Sequence, residues 1–202
     1  MTTHIHKIFS TPLLQFKFNQ HSKYVFDNVP KQVKKPNDWV EPLNTSFPEI
    51  PDHDNLVDRF TKDNLKTDLL NSISAALQDV ELPNNIKFLN LWYNIYHDNQ
   101  GQEAHWHLPA SGRTMPYWSG IYYNRNTNPT IFHRDHGVHR THECPRVNES
   151  KIRDCWWHEY HPDVTDGDIL LFPPYLLHSV KSEHRHQHSM RLTFSFNLIL
   201  QD

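Results

Sequence analysis

The sequence predicts a mainly β protein of the jelly-roll or sandwich type, with a helical and irregular N-terminal cover. Three observations lead there. One segment before Glu81 carries apolar residues at helical spacing, and from Lys87 onward the apolar period changes to two. Short alternating runs then follow one another, punctuated by glycine and proline and without a repeat of fixed length. A chain of 202 residues suits one domain with a full core, so residues 1–202 are read as a single unit. The cover occupies about residues 1–86 and the β core about residues 87–200.

Taken in order, Ile8–Phe18 alternates weakly and reads as a first strand broken at Pro12. Residues 28–52 hold Pro30, Pro36, Pro42, Pro48 and Pro51, which predicts an irregular wrap. Thr61–Val80 is the convincing helix: Leu65, Leu69, Ile73 and Leu77 make one stripe, widened by Leu70 and Ala76, and Pro83 lies just past its end. In Lys87–Tyr96 the alternation puts Leu89, Leu91, Tyr93 and Ile95 on one face and Asn90, Trp92, Asn94 and Tyr96 on the other. Further strands are expected at Glu103–Leu108, Ser119–Tyr123, Thr130–Phe132, Asp168–Phe172, Leu176–Val180 and Arg191–Leu200.

Composition narrows the function classes. A net charge of −3 gives no general drive toward nucleic acid or an anionic membrane. No run of about 18 apolar residues exists to span a bilayer, and Met1-Thr-Thr-His-Ile-His lacks the layout of a signal peptide. Cys144 and Cys155 alone do not make a secreted disulfide framework. A cytoplasmic protein is the expectation. Histidine is the unusual component: four occur up to Asn90 and thirteen after it. It is the commonest metal ligand.

The candidate site is built from three pieces. His105 and His107 stand two apart on a predicted strand, so their side chains point the same way, about 7 Å apart at the backbone, and can converge on one ion. Gly167-Asp-Ile-Leu-Leu-Phe-Pro-Pro-Tyr-Leu-Leu-His178 is a turn, an apolar strand, a proline break and then a histidine, which supplies a third ligand. Three protein ligands with open positions suit non-haem iron. On the last strand Arg191, Thr193, Ser195 and Asn197 share one face, with Leu192, Phe194, Phe196 and Leu198 on the other. If the polar row faces inward, Arg191 can grip a carboxylate with two prongs while Thr193 or Ser195 adds a hydroxyl. Asn94 has matching chemistry and can line the same cavity, with Trp92, Tyr96, Tyr122 and Tyr123 as walls.

These pieces, in the order Trp92-Tyr-Asn94, Gly101-Gln102, His105-Trp-His107-Leu-Pro109, Ser119-Gly-Ile-Tyr-Tyr123, Gly167-Asp-Ile-Leu-Leu-Phe-Pro173, His178 and Arg191-Leu-Thr-Phe-Ser-Phe-Asn197, resemble the 2-oxoglutarate–iron(II) oxygenase family. The resemblance runs from roughly Phe88 to Leu198. It implies a double-stranded β-helix, and a dioxygenase that uses iron(II), 2-oxoglutarate and molecular oxygen. It implies His105 and His178 as iron ligands and Arg191, thirteen residues past His178, as the partner of the cosubstrate carboxylate. It further implies that 2-oxoglutarate is decarboxylated to succinate while a C–H bond of a small molecule or protein side chain is oxidised.

One position departs from the wider superfamily, whose usual triad is two histidines and a carboxylate. Here His107 stands at the carboxylate position, so either three histidines bind iron or a carboxylate such as Glu103, on the same predicted face, completes the site. A three-histidine set also fits a cupin-type dioxygenase that does not use 2-oxoglutarate, and the fold alone is compatible with a non-catalytic jelly-roll binding protein. A second cluster gathers His133, His136, His139, His142, Cys144, Cys155, His158 and His161. Its spacing matches no familiar zinc finger, and it is read as a polar, aromatic loop facing substrate. His184, His186 and His188 are expected in a solvated hairpin turn.

Overall fold

A computed structural model describes residues 11–26, 44–45, 64–97, 99–108, 114–125, 128–133, 159–182 and 190–201. The described strands are β1 (Leu14–Lys17), β2 (Asn44–Thr45), β3 (Ile86–Tyr96), β4 (Gln102–His105), β5 (Trp118–Arg125), β6 (Ile131–His133), β7 (Glu159–Tyr160), β8 (Asp168–Phe172), β9 (His178–Val180) and β10 (Arg191–Leu200). One α-helix, α1 (Leu65–Asp79), and a short 3-10 turn at His21–Tyr24 complete the described elements. The strands form a six-stranded sheet, β1-β8-β5-β10-β3-β2, and a four-stranded sheet, β4-β9-β6-β7.

The pairing pattern identifies the architecture. β3 pairs with β10, β4 with β9, β5 with β8 and β6 with β7, all antiparallel. The chain from β3 to β10 is therefore one long two-stranded ribbon, folded back at β6–β7. Pairings of β5 with β10 and of β6 with β9 join successive turns of that ribbon. This winding is a double-stranded β-helix. β1 and β2, from the predicted cover, extend the larger sheet at its two edges by pairing with β8 and β3.

The larger core lies outside the ribbon, on the outer face of the six-stranded sheet. Leu65, Leu69, Ile73 and Leu77 of α1 are buried there with Leu91, Tyr93 and Ile95 of β3 and Leu192, Phe194, Phe196 and Leu198 of β10. Each such side chain contributes on the order of 1.5–3 kcal/mol of gross burial. Gly120 lets this layer close, because a Cβ there would overlap the Phe196 ring. A smaller apolar cluster, with Ile121, Phe132, Leu170 and Phe172, packs between the two sheets. Covering the apolar rows from outside leaves the polar rows of β3 and β10 turned inward.

Two local expectations are corrected. Leu89 does not share the face of Leu91: the β3–β10 register slips between Asn197 and Leu198, so Leu198 pairs with Phe88 and Leu89 is left as the extra, 39% exposed residue. Phe88 packs against the core in its place. Tyr122 points into the outer core against Phe18 and Phe194, away from the ribbon interior.

Helix α1 ends in a Schellman arrangement, with Leu82 N–H donating to Leu77 O (2.9 Å) and Glu81 N–H to Gln78 O (3.0 Å). This forces Glu81 to φ 57°, a left-handed conformation that an L side chain adopts at a cost. Glu81→Gly is expected to raise stability by about 0.5–1 kcal/mol, read as a higher denaturation midpoint with an unchanged slope.

Candidate metal centre

The inward face of the ribbon forms a pocket whose wall joins His105, His107 and His178 to Asn94, Thr193 and Arg191. The two parts of this wall sit on consecutive steps of the ribbon. His105 of β4 is paired directly with His178 of β9, and Tyr96 at the end of β3 is paired with Arg191 at the start of β10. Residues far apart in sequence therefore meet because each step of the wound ribbon brings its two arms side by side.

The three imidazoles form one group whose ligand atoms all lie within 4.8 Å of one another, and it is the one metal-competent group among the described residues. His105 and His107 stack at 5.4 Å between centroids, and His178 approaches them at 4.3 and 4.9 Å. Each ring is oriented through Nδ1. His105 Nδ1–H donates to Glu103 O at 2.8 Å, and His178 Nδ1–H donates to Leu176 O at 2.8 Å. His107 Nδ1–H is held between Asn197 Oδ1 (2.8 Å) and Ser119 Oγ (2.9 Å), and Ser119 Oγ–H itself donates to Asn197 Oδ1 at 2.6 Å. Carbonyl oxygens only accept, so the ring proton sits on Nδ1 and Nε2 presents its lone pair. This is the tautomer that a metal requires.

Electrostatics hold the rings neutral. Burial lowers the pKa of all three; for His107 burial, then the nearby His105, bring it to about 3, and His178 lies well below the ordinary imidazole value through burial, His105 and His107. Neutral imidazoles are the ligating form. Glu103 is outside the metal-competent group and outside the pocket wall; it serves His105 through its backbone carbonyl. The reason is a bulge: Gln102 pairs with Val180 and His105 with His178, so one extra residue breaks the alternation that would have aligned Glu103 with His105. β4 also ends at His105, and His107 is placed by its own N–H donating to Pro174 O at 2.8 Å.

At the other end of the pocket Arg191 is 1% exposed. Its Nε donates to Asn128 O and its Nη2 to Thr130 Oγ1, both at 3.0 Å, while its guanidinium lies 4.5 Å from the Tyr96 ring centroid and 5.4 Å from that of Tyr123. Arg191 Nη1 is buried without a hydrogen-bond partner among the described residues. Asn94 Nδ2 donates to Ser195 Oγ at 3.1 Å, and Asn94 Oδ1 accepts from Thr45. Trp92 packs near His107, at 5.5 Å between centroids, and Tyr123 donates to Thr130 Oγ1 behind Arg191. Four further residues join this constellation: Gln102, Ser119, Thr130 and Asn197. Asn197 was visible in the polar row of the last strand, whereas Gln102 enters through the bulge that alternation does not reveal.

A family model described as "Putative 2OG-Fe(II) oxygenase" matches residues 90–197, more than half of the chain. The chain belongs to the 2-oxoglutarate–iron(II) oxygenase family. Among solved structures, a Pseudomonas putida prolyl-4-hydroxylase aligns over 96% of this chain and 95% of its own, at 9% identity and a TM-score of 0.53, a likeness of fold. The viral collagen prolyl hydroxylase of Paramecium bursaria Chlorella virus-1, solved with 2-oxoglutarate, aligns over 94% of this chain and 96% of its own, at 8% identity and a TM-score of 0.48. HygX from Streptomyces hygroscopicus, solved with nickel, 2-oxoglutarate and hygromycin B, aligns at 16% identity and a TM-score of 0.38, over 57% of this chain. That alignment spans 56% of HygX. No curated protein sequence matches the chain.

The second histidine cluster falls largely outside the described residues, as do both cysteines and His184, His186 and His188. His133 and His161 are described. His133 faces Ser179 Oγ (2.7 Å) and Glu159 (3.6 Å), and His161 faces Glu159 (3.3 Å). No described helix is long and apolar enough to cross a membrane.

Proposed function

We propose that this oxygenase is a hydroxylase in which His105, His107 and His178 hold iron(II) and Arg191 receives the distal carboxylate of 2-oxoglutarate. The observation that carries the reading is the unpartnered, buried Nη1 of Arg191 in the wall of the pocket that also holds three Nε2 lone pairs. A buried guanidinium donor without an acceptor is costly, and a carboxylate resolves it with a charge-assisted bond. The donor set suits iron: three neutral imidazoles leave coordination positions open. When bound, iron and 2-oxoglutarate together supply the activation of oxygen for attack on a C–H bond.

The chain's own contribution is orientation and exclusion of water. Backbone carbonyls and Asn197 fix the three rings before any metal arrives. Thr130, Tyr96 and Asn128 hold the Arg191 fork rigid, so that binding does not have to order it. Thr193, Ser195 and Asn94 add polar atoms along the wall between the two ends. The substrate is a small molecule or a protein side chain.

An all-histidine ligand set is also the specific feature favouring a second reading, a cupin-type dioxygenase that does not use 2-oxoglutarate. One experiment separates them. Metal-loaded protein without oxygen should bind 2-oxoglutarate in a direct titration, and with iron(II), ascorbate and air should form succinate slowly even without its own substrate. Metal-loaded protein that binds no 2-oxoglutarate would move the assignment to the cupin-type reading.

A further inference from the structure

We infer that Gln102 is a positioning residue whose side-chain amide orients the oxygen ligand carried by the metal beside His105. The inference rests on the iron and 2-oxoglutarate assignment above. Gln102 is 8% exposed and lines the same pocket. Its Oε1 accepts from Tyr96 O–H at 2.8 Å, and its Nε2 lies 3.3 Å from His105 Nε2. His105 Nδ1 already donates to Glu103 O, so His105 Nε2 is an acceptor, and the amide nitrogen of Gln102 is the donor to it. Both ends of the amide are thereby fixed, with oxygen toward Tyr96 and nitrogen toward the ligand atom of His105.

That arrangement changes when a metal takes the His105 lone pair. Gln102 Nε2 then loses its acceptor, while Tyr96 still holds Oε1 and burial prevents the amide from turning to water. An oriented N–H would then face the space in front of His105, where an oxygen of bound 2-oxoglutarate would serve as its acceptor. A buried amide donor without an acceptor is unfavourable, so such an oxygen ligand gains by filling it. Tyr96 links this donor to the far end of the pocket, since its ring also lies against Arg191. One tyrosine thus sets the placement of both groups that face the cosubstrate: Arg191 at one end, Gln102 at the other.

The test separates metal binding from cosubstrate binding. Nickel(II) or cobalt(II) is titrated into metal-free protein, and 2-oxoglutarate is then titrated into the loaded protein, for wild type, Gln102→Leu and Tyr96→Phe. Gln102→Leu should bind metal at least as tightly as wild type, because no amide bond to His105 has to be broken. Its Kd for 2-oxoglutarate should rise roughly tenfold, the loss expected for one hydrogen bond to a charged acceptor. Tyr96→Phe keeps the ring beneath Arg191 but frees the amide, and should weaken 2-oxoglutarate in the same direction by less. The visible spectrum of the cobalt protein with 2-oxoglutarate should shift in Gln102→Leu and not in the metal-only state. Unchanged 2-oxoglutarate affinity in both variants, or parallel loss of metal and 2-oxoglutarate, would overturn the inference while leaving the site assignment standing. Wild-type protein that binds no 2-oxoglutarate would overturn the site assignment and this inference with it.

Discussion

His178→Ala is expected to leave a folded protein that has lost most of its iron, and His105→Ala and His107→Ala should match it. The three Nε2 atoms belong to one group, each ring fixed by an acceptor at Nδ1, so no one of them is a spare. Losing an outer-shell partner costs a metal site about 10–100-fold in affinity, and losing a ligand should cost more. Asn197→Ala, which releases His107 Nδ1 without touching a ligand atom, should fall in that 10–100-fold range. Glu103→Gln should stay within a few-fold of wild type, since the backbone carbonyl that accepts from His105 is kept and only the lesser influence of the Glu103 charge on that ring is lost. The fold should survive: in the metal-free state His178 is a neutral ring packed against Phe172, and its removal strands no charge. Anaerobic iron(II) titration with melting curves decides the matter. Glu103→Gln losing iron while His107→Ala keeps it would put the carboxylate, not His107, in the site.

Several features of this architecture were legible as sequence because unbroken alternation is a strong signal. Asp168–Phe172 and Arg191–Leu200 begin and end where the pattern does, and the stripe Leu65, Leu69, Ile73 and Leu77 is the buried face of α1. Which face of the last strand turns inward was not legible, since alternation is symmetrical with respect to inside and outside. The decision comes from α1 and the outer core, which cover Leu192, Phe194, Phe196 and Leu198 and so leave Arg191, Thr193 and Ser195 to the pocket. Bulges were the other blind spot. One extra residue at Leu89 and one between Gln102 and His105 reverse the side on which neighbours fall, and no residue type announces either. The second bulge removes Glu103 from the wall and brings Gln102 into it, so the same irregularity hides one site residue and discounts another. The two-residue strands β2 and β7 are too short to carry a period, and β7 is exposed at both positions.

Arg191→Met is expected to abolish most 2-oxoglutarate binding while metal content stays near normal. The three candidate ligand histidines sit on β4, β9 and the segment after β4, whereas Arg191 sits on β10, so its loss leaves their Nδ1 acceptors intact. In wild type the guanidinium is already held by Asn128 O, Thr130 Oγ1 and the Tyr96 ring, with Nη1 buried and without a partner among the described residues, so the proposed carboxylate would meet a pre-set donor. Arg191→Lys keeps the charge but not the planar fork, so it cannot satisfy Asn128, Thr130 and the ligand together, and should fall between wild type and Arg191→Met. Breaking one side of a buried charge pair costs on the order of 2–5 kcal/mol, a weakening of roughly thirtyfold or more. Thermal melting offers a second readout that needs no turnover. A ligand at a hundred times its Kd stabilises the folded state by about 2.7 kcal/mol, so 2-oxoglutarate should raise the melting temperature of metal-loaded wild type and barely move that of Arg191→Met. Without 2-oxoglutarate the two proteins should melt close together, because Arg191→Met removes a buried cation at the same time as it removes that cation's hydrogen bonds. Equal 2-oxoglutarate affinity in wild type and Arg191→Met would remove Arg191 from the cosubstrate site and leave its buried Nη1 without an explanation.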